Sequence, residues 1–225
     1  MVDENSPLQG EAVARYMAEG ERRAYKLGNR GPVRFTDSGD IHPEILNAYR
    51  QHGFYVLEGV MDESERRDLA SDIEEHILNR LPVDSQSTVD RAGRPAIGIN
   101  NAAPTLHWAK PLSDPFGGTN LAGGRHPVKM AEPAASPGSP QEIVYLILGA
   151  QQFSVACLRL YGHPSLLAVA AAINGDDFVP FNDALFIKEP GLGASVAWHR
   201  DGLTHWDHPD WDDGTHGFNF MGQVH

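Results

Sequence analysis

The stretch FNDALFIKEPGLGASVAWHRDG, residues 181–202, carries the strongest signals for both the fold and the chemistry of this chain. Its first half belongs to an apolar and aromatic run that predicts a strand over Phe178–Lys188. The turn Glu189-Pro190-Gly191 ends that strand, because proline lacks the amide hydrogen that a strand interior donates. A second strand is predicted over Ser195–Asp201, so the stretch reads as strand, turn, strand.

The second strand places two metal-binding side chains next to each other. Residues two apart on a strand point to the same face, so His199 and Asp201 present an imidazole and a carboxylate to one point. These are two of the three ligands of the 2-His-1-carboxylate triad that holds Fe(II) in oxygenases. Arg200 faces the other way. By itself, the same three-residue pattern also occurs in ordinary surface turns.

Elsewhere in the chain, helical patterns come first and strand patterns come last. Helices are predicted over 11–27, 43–52, 62–81 and 165–173, the apolar pattern of 141–160 is compatible with a further helix, and strands are predicted over 54–57, 178–188, 195–201 and 217–224. This order predicts an α+β fold with an antiparallel sheet.

The helix predicted over 62–81 has the clearest periodicity. Asp62 and Glu65 form a capping-box pattern at its start. Apolar residues then recur every four positions and mark one buried face: Leu69, Ile73, Ile77 and Leu81.

The segment 82–140 differs in composition from the rest of the chain. It holds 9 of the 16 prolines and two Gly-Gly pairs, which disfavour regular helix. We predict an insertion or lid over a pocket, with some of its apolar residues packed. Residues 1–10 are predicted to be disordered, and 11–225 to form a single domain.

Composition excludes several classes of protein. A net charge of −12 argues against a nucleic-acid or anionic-membrane surface. The single cysteine, Cys157, rules out an intrachain disulfide and a CxxC zinc site. The longest apolar runs are far shorter than the roughly 20 residues that cross a bilayer, and the N-terminus lacks a signal-peptide pattern. We predict a cytoplasmic protein whose partner is a small-molecule substrate.

The segment 181–202 resembles the phytanoyl-CoA dioxygenase family of Fe(II)- and 2-oxoglutarate-dependent oxygenases. In that family a strand ending in a Lys-x-Pro-Gly turn precedes a strand that carries His-x-Asp, as Lys188–Gly191 and His199–Asp201 do here. The resemblance extends to Gly53–Leu81, which is similar to the family's N-terminal opening, and over Gly162–Val224. It does not cover the proline-rich segment.

The resemblance implies a double-stranded β-helix, the cupin-like jelly roll, with N-terminal helices. It implies that His199 and Asp201 bind Fe(II) and that 2-oxoglutarate chelates the metal. Hydroxylation of a small organic substrate would then yield succinate and CO2. Lys188 and Asn219 are candidate contacts to the cosubstrate, and His205 and Trp206 are candidates for a loop at the substrate entrance.

The sequence departs from the family pattern after Asp201. The family takes its second metal-binding histidine from a later strand, with an arginine about ten residues further on that pairs with 2-oxoglutarate. No arginine follows Arg200 in this chain. We therefore expect a fragment that lacks the distal ligand and the later strands of the jelly roll, that is inactive in isolation, and that self-associates through an exposed sheet edge.

Two alternatives stay open. The chain could be a catalytically inactive, truncated binding module. It could also be a zinc-dependent hydrolase, because five of its eleven histidines lie in the last 27 residues and include the cluster His205-Trp206-Asp207-His208.

Overall fold

The computed structural model describes residues 7–101, 105–115, 129–179 and 183–197 of the chain, with side chains from residue 10 onward. These residues form two compact units. The first contains the described parts of Met1–Asp62 and Pro164–Asp177, and the second those of Glu63–His163 and Phe178–His225. The single domain expected over 11–225 stays a prediction.

The first unit contains three helices and one pair of short strands. The elements are α1 (Pro7–Ala24), β1 (Arg30–Pro32), α2 (Pro43–His52), β2 (Val56–Glu58) and α5 (Pro164–Asn174). Strands β1 and β2 pair in parallel. Helix α1 begins inside the segment predicted to be disordered, and its described side chains are largely exposed.

Helix α2 ends where the sequence predicts. Its first turn begins at Pro43, where the missing amide hydrogen costs nothing, and its last turn is closed by Gly53. Gly53 adopts φ 78°, a left-handed conformation that glycine takes without a steric penalty. The helix buries Ile45, which together with Ile41 contributes to the core of the first unit.

The second unit contains a helical layer and a three-stranded antiparallel sheet. The elements are α3 (Glu63–Asp72) followed without a break by a π-helical turn (Ile73–Ile77) and a 3-10 turn (Leu78–Arg80), then β3 (Leu106–Ala109), β4 (Ile143–Leu148), a 3-10 turn (Ala150–Gln152), α4 (Val155–Tyr161) and β5 (Ala184–Phe186). The strand order is β3-β4-β5.

The prediction of one long helix over 62–81 is confirmed in extent and in its buried face. Leu69 and Ile77 are buried, and Ile73 and Leu81 pack against the main cluster. The helix is not uniform, because it widens to a π-helical turn at Ile73–Ile77. It begins directly after Asp62, the residue predicted to cap it.

The prediction of a helix through 141–160 is wrong for its first half. Ile143–Leu148 is the central strand β4, and Ile147 is fully buried. An uninterrupted apolar run of this length is typical of a strand buried on both faces, and periodicity cannot distinguish it from a buried helix. Gly149 then adopts a left-handed conformation with φ 75° and ends the strand, and α4 begins after Ser154.

The proline-rich segment contains one strand that the sequence analysis missed. β3 pairs with β4, so the expectation that parts of 82–140 pack onto the domain is confirmed. Among the described residues of the strand predicted over 178–188, only Ala184–Phe186 pairs with β4. Ser195–Ala197, the described part of the next predicted strand, has no strand partner among the described residues. The strand predicted over 217–224 lies outside them.

Over the described residues, one helical stretch meets the length and hydropathy expected of a membrane span. It covers Val155–Asn174, has a mean hydropathy of 1.3 and is interrupted at Gly162 and His163 between α4 and α5. Core helices of globular proteins meet the same criteria, so this stretch is weak evidence for a membrane span. The cytoplasmic location stays a prediction.

Candidate functional site

The two faces of the β3-β4-β5 sheet have different surroundings. One face packs against the helical layer, which consists of α3, the π-helical and 3-10 turns that follow it, and α4. The contact is made through a cluster centred on Ile77, Val144 and Ile147. The other, which we call the distal face, carries a separate cluster formed by Ala109, Tyr145, Leu146, Leu148 and Ala194. Because the first face is covered by helices, the distal face is the side of this sheet on which a buried site can form.

A bulge in the sheet concentrates side chains on the distal face. The register between β3 and β4 shifts between His107 and Trp108, so that His107 pairs with Leu146 while Trp108 pairs with Val144. Tyr145 lies opposite the shift, and it joins its neighbour Leu146 in the same cluster. Bulges change the direction of a side chain in this way and are frequent next to functional sites.

His107 supplies an unpaired polar atom beside this cluster. Its partner Leu146 lies on the distal face, and directly paired residues share a face. The His107 ring stands edge-on to the Tyr145 ring, with centroids 6.5 Å apart. Its Nε2 atom is buried without a hydrogen-bond partner among the described residues. Burial raises the pKa of the Tyr145 phenol.

The segment after β5 is held against the sheet by backbone hydrogen bonds. Ile187 N donates to Tyr145 O at 2.9 Å, and Gly193 N donates to Glu189 O at 2.8 Å to close the predicted turn. Ser195 N then donates to Ser113 O at 2.7 Å. The chain is therefore fixed in place up to Ala197, which is buried, directly before the predicted metal-binding motif begins at Trp198.

Lys188 is the predicted site residue that the structure describes. Its Nζ donates to the carbonyl oxygen of Ala194, a residue of the distal cluster that is 1% exposed. Desolvation lowers the pKa of the Lys188 ammonium. The side chain therefore closes the turn between β5 and the following segment, and its contact with 2-oxoglutarate stays a prediction.

The other predicted site residues lie outside the described part of the chain. These are the metal ligands His199 and Asp201, the cosubstrate contact Asn219, and the loop residues His205 and Trp206. Within residues 7–101, 105–115, 129–179 and 183–197, no group of three or more His, Cys, Asp or Glu side chains could hold a metal ion.

A second polar cluster lies at the start of β5. Asp183 Oδ2 accepts a hydrogen bond from Gln151 N at 3.2 Å. Asp183 Oδ1 and Gln151 Oε1 are both buried without partners among the described residues. Desolvation, followed by the negative charge of Asp183, raises the pKa of Tyr161. Burial also raises the pKa of Cys157, so this thiol lacks the environment of a reactive cysteine.

Sequence reasoning missed both His107 and Asp183. His107 lies in a proline-rich segment for which no strand was predicted. The apolar residues Leu106 and Trp108 on either side of His107 form an alternating pattern that could have indicated a strand. Asp183 falls within the segment that resembles the family, but no spacing rule singles it out.

The chain matches no known family model, no curated protein and no solved structure.

Proposed function

We propose that this chain carries two metal ligands of an Fe(II)- and 2-oxoglutarate-dependent dioxygenase that hydroxylates a small organic substrate. The observation that carries the proposal is the His199-Arg200-Asp201 motif, which follows a strand and a Lys-x-Pro-Gly turn. An imidazole and a carboxylate form a donor set that suits ferrous iron. The family resemblance supplies the reaction and the cosubstrate.

The described residues support this proposal at its upstream side. Strand β5 and the closed turn at Glu189-Pro190-Gly191 precede the His199–Asp201 motif in the chain, which supports the proposal. The distal face is lined by apolar residues and holds a buried imidazole nitrogen, a surrounding that suits a site from which water is excluded. A jelly roll built on this sheet is part of the proposal.

The roles of the residues follow from their chemistry. His199 and Asp201 would hold the metal, and Arg200 would point away from it. Bound iron with 2-oxoglutarate supplies the oxidising power that cleaves a substrate C–H bond. Tyr145, Leu146 and Leu148 would form an apolar wall, and Lys188 would fix the turn that leads to the ligands.

Metal binding by substituted chains tests the proposal. We expect the chain to bind Fe(II) when the metal is present in excess under anaerobic conditions, weakly because it supplies two of the family's three ligands. His199→Ala or Asp201→Ala should lose this binding, because each removes one of the two. The matched control His205→Ala should bind the metal as the unsubstituted chain does. Iron binding by both ligand variants would contradict the proposal. Preferential zinc binding accompanied by ester or amide hydrolysis would favour the zinc hydrolase instead.

A further inference from the structure

The outer side of the helical layer carries a concentration of positive charge that the proposed oxygenase function does not use. A surface cavity of about 540 Å³ is lined by residues from the helical layer and from the loop that follows it: Glu75, His76, Asn79, Arg80, Arg91, Ala92 and Arg94. Its lining holds three guanidinium groups and one carboxylate, in a chain whose net charge is −12.

Two of these arginines are fixed in place by a buried carboxylate. Arg80 Nε and Arg94 Nε donate to Asp90 Oδ2 at 3.1 and 2.8 Å, and the Asp90 side chain is 0% exposed. Burial alone would raise the pKa of Asp90, but hydrogen bonds from the Arg94 amide and guanidinium and from the Ala92 amide outweigh it and lower the pKa. Asp90 is thus held as an anion beneath the arginines.

The fixed arginines keep donors available. Arg80 Nη2 donates to Pro95 O at 2.7 Å, and Arg94 Nη2 donates to Asn79 O at 3.0 Å. Each guanidinium has five N–H groups, so these contacts and those to Asp90 leave others unused. Because both planes are already ordered, a ligand that binds them incurs little further loss of side-chain entropy.

Arg91 differs from Arg80 and Arg94, because it is not bonded to Asp90. It is exposed, and it has no hydrogen-bond or ion-pair partner among the described residues. The carboxylate of Glu75 accepts a hydrogen bond from Ser71 Oγ at 3.1 Å. Asp90 and Glu75 together offset two of the three arginine charges, so the cavity keeps a net charge of one positive unit.

We propose that this cavity binds a phosphorylated small molecule, whose phosphate group is held by Arg80, Arg91 and Arg94. A phosphate carries up to two negative charges and several acceptor oxygens, which suits several guanidinium groups better than a single carboxylate does. The cavity is open to solvent, and its volume leaves room for an organic part beside a phosphate group.

Calorimetric titration of the chain with inorganic phosphate, without iron or 2-oxoglutarate, tests this site separately from the proposed oxygenase. We expect saturable binding that weakens as salt increases. Arg91→Ala should weaken it roughly tenfold, because a charge-assisted contact is lost. Arg91→Glu should abolish it. Arg91 bonds to no buried group of the described chain, so these variants should fold normally.

Arg159→Ala is the matched control, because Arg159 is an exposed arginine of the same unit that pairs with Asp68 outside the cavity. It should bind phosphate as the unsubstituted chain does. Absence of saturable phosphate binding would overturn the proposal, as would unchanged affinity in Arg91→Glu. Tighter binding of succinate than of phosphate would also overturn it, because the site would then select carboxylates.

Discussion

At the scale of single residues, Gly193 shows how closely the turn after β5 is packed. A Cβ at this position would lie 3.0 Å from Lys188 Cα and 3.2 Å from Glu189 O. Both are backbone atoms of a turn closed by the Gly193 N to Glu189 O hydrogen bond, so neither can move freely. Any larger residue therefore displaces the segment that leads to Trp198.

We expect Gly193→Ala to destabilise the chain by about 1–3 kcal/mol, the usual cost of overpacking. Urea denaturation measures the change in the free energy of unfolding. The control is Gly20→Ala, since Gly20 lies within helix α1 with nothing within 4 Å of its added Cβ. This control should be neutral or stabilising, because alanine favours helix. Equal stability of Gly193→Ala and the unsubstituted chain would show that the turn is not packed as described.

At the scale of secondary-structure elements, strand β4 holds the second unit together. It is the central strand of the sheet, and Ile147 is 0% exposed in the cluster that joins the sheet to the helical layer. Ile77 of the π-helical turn is also fully buried in this cluster. The contact between helix and sheet thus depends on a few large aliphatic side chains.

Ile147→Ala should cost about 2–5 kcal/mol, because the substitution removes buried methyl groups and leaves a cavity. The change is measured by denaturant unfolding monitored by circular dichroism. Leu158→Ala provides the comparison, since Leu158 on α4 is 53% exposed and alanine preserves helix propensity. A cost for Ile147→Ala no larger than that for Leu158→Ala would contradict the assignment of the core.

Asp72 connects the end of α3 to the start of α4. Its Oδ2 accepts hydrogen bonds from Ala156 N and Ser154 Oγ, each at 2.9 Å, and Ser154 Oγ in turn accepts from Cys157 N at 3.0 Å. The Ala156 amide is the largest of the influences that lower the pKa of Asp72. Desolvation opposes this shift without cancelling it.

Because the pKa of Asp72 is lower in the folded than in the unfolded chain, ionised Asp72 stabilises the fold. This contribution is complete above the ordinary value of 3.8 and is lost as the pH falls through the lower folded value. Asp72→Asn should therefore lower stability at neutral pH, and the difference from the unsubstituted chain should shrink on acidification. Thermal unfolding of both chains, measured between about pH 6 and about pH 2, shows whether the stability difference shrinks. A constant difference would contradict it.

The elements differ in how far the sequence predicts them. The helix over 62–81 was predictable because its apolar residues repeat every four positions and its start is capped, both of which are local signals. β4 was not, because the run Ile143–Leu148 is buried on both sides and shows no alternation. β3 was not predictable for another reason: its pairing with β4 joins residues 34 to 41 positions apart, across a proline-rich segment.

The metal ligands of the candidate site stay a prediction made from their chemistry, and the described surroundings of the site could not be predicted from the sequence. The hypothesis that His199 and Asp201 share a face depends on the alternation of side-chain directions, which is common to all strands. The closing of the turn by Lys188 and the placement of His107 on the distal face depend on tertiary contacts and on a bulge, which no local pattern encodes.

At the scale of the whole molecule, two features lie on different sides of the second unit's core. The distal face belongs to strands that precede the proposed metal ligands in the chain. The arginine cavity lies on the helical layer, which covers the opposite face of the sheet. The buried cluster around Ile77 and Ile147 separates them. We therefore expect phosphate binding and metal binding to be separately removable by substitution.

The proposed function requires that His199 and Asp201 bind one ferrous ion and that 2-oxoglutarate then chelates it. An anaerobic titration of the chain with 2-oxoglutarate in excess Fe(II), monitored by visible absorption, tests this requirement. The inactivity expected of the isolated chain concerns turnover, whereas the titration measures binding of the metal and the cosubstrate. We predict a weak charge-transfer band that saturates with cosubstrate, persists in His205→Ala, and is absent from His199→Ala and Asp201→Ala. Failure of the band to form in the unsubstituted chain, or its persistence in both ligand variants, would contradict the account.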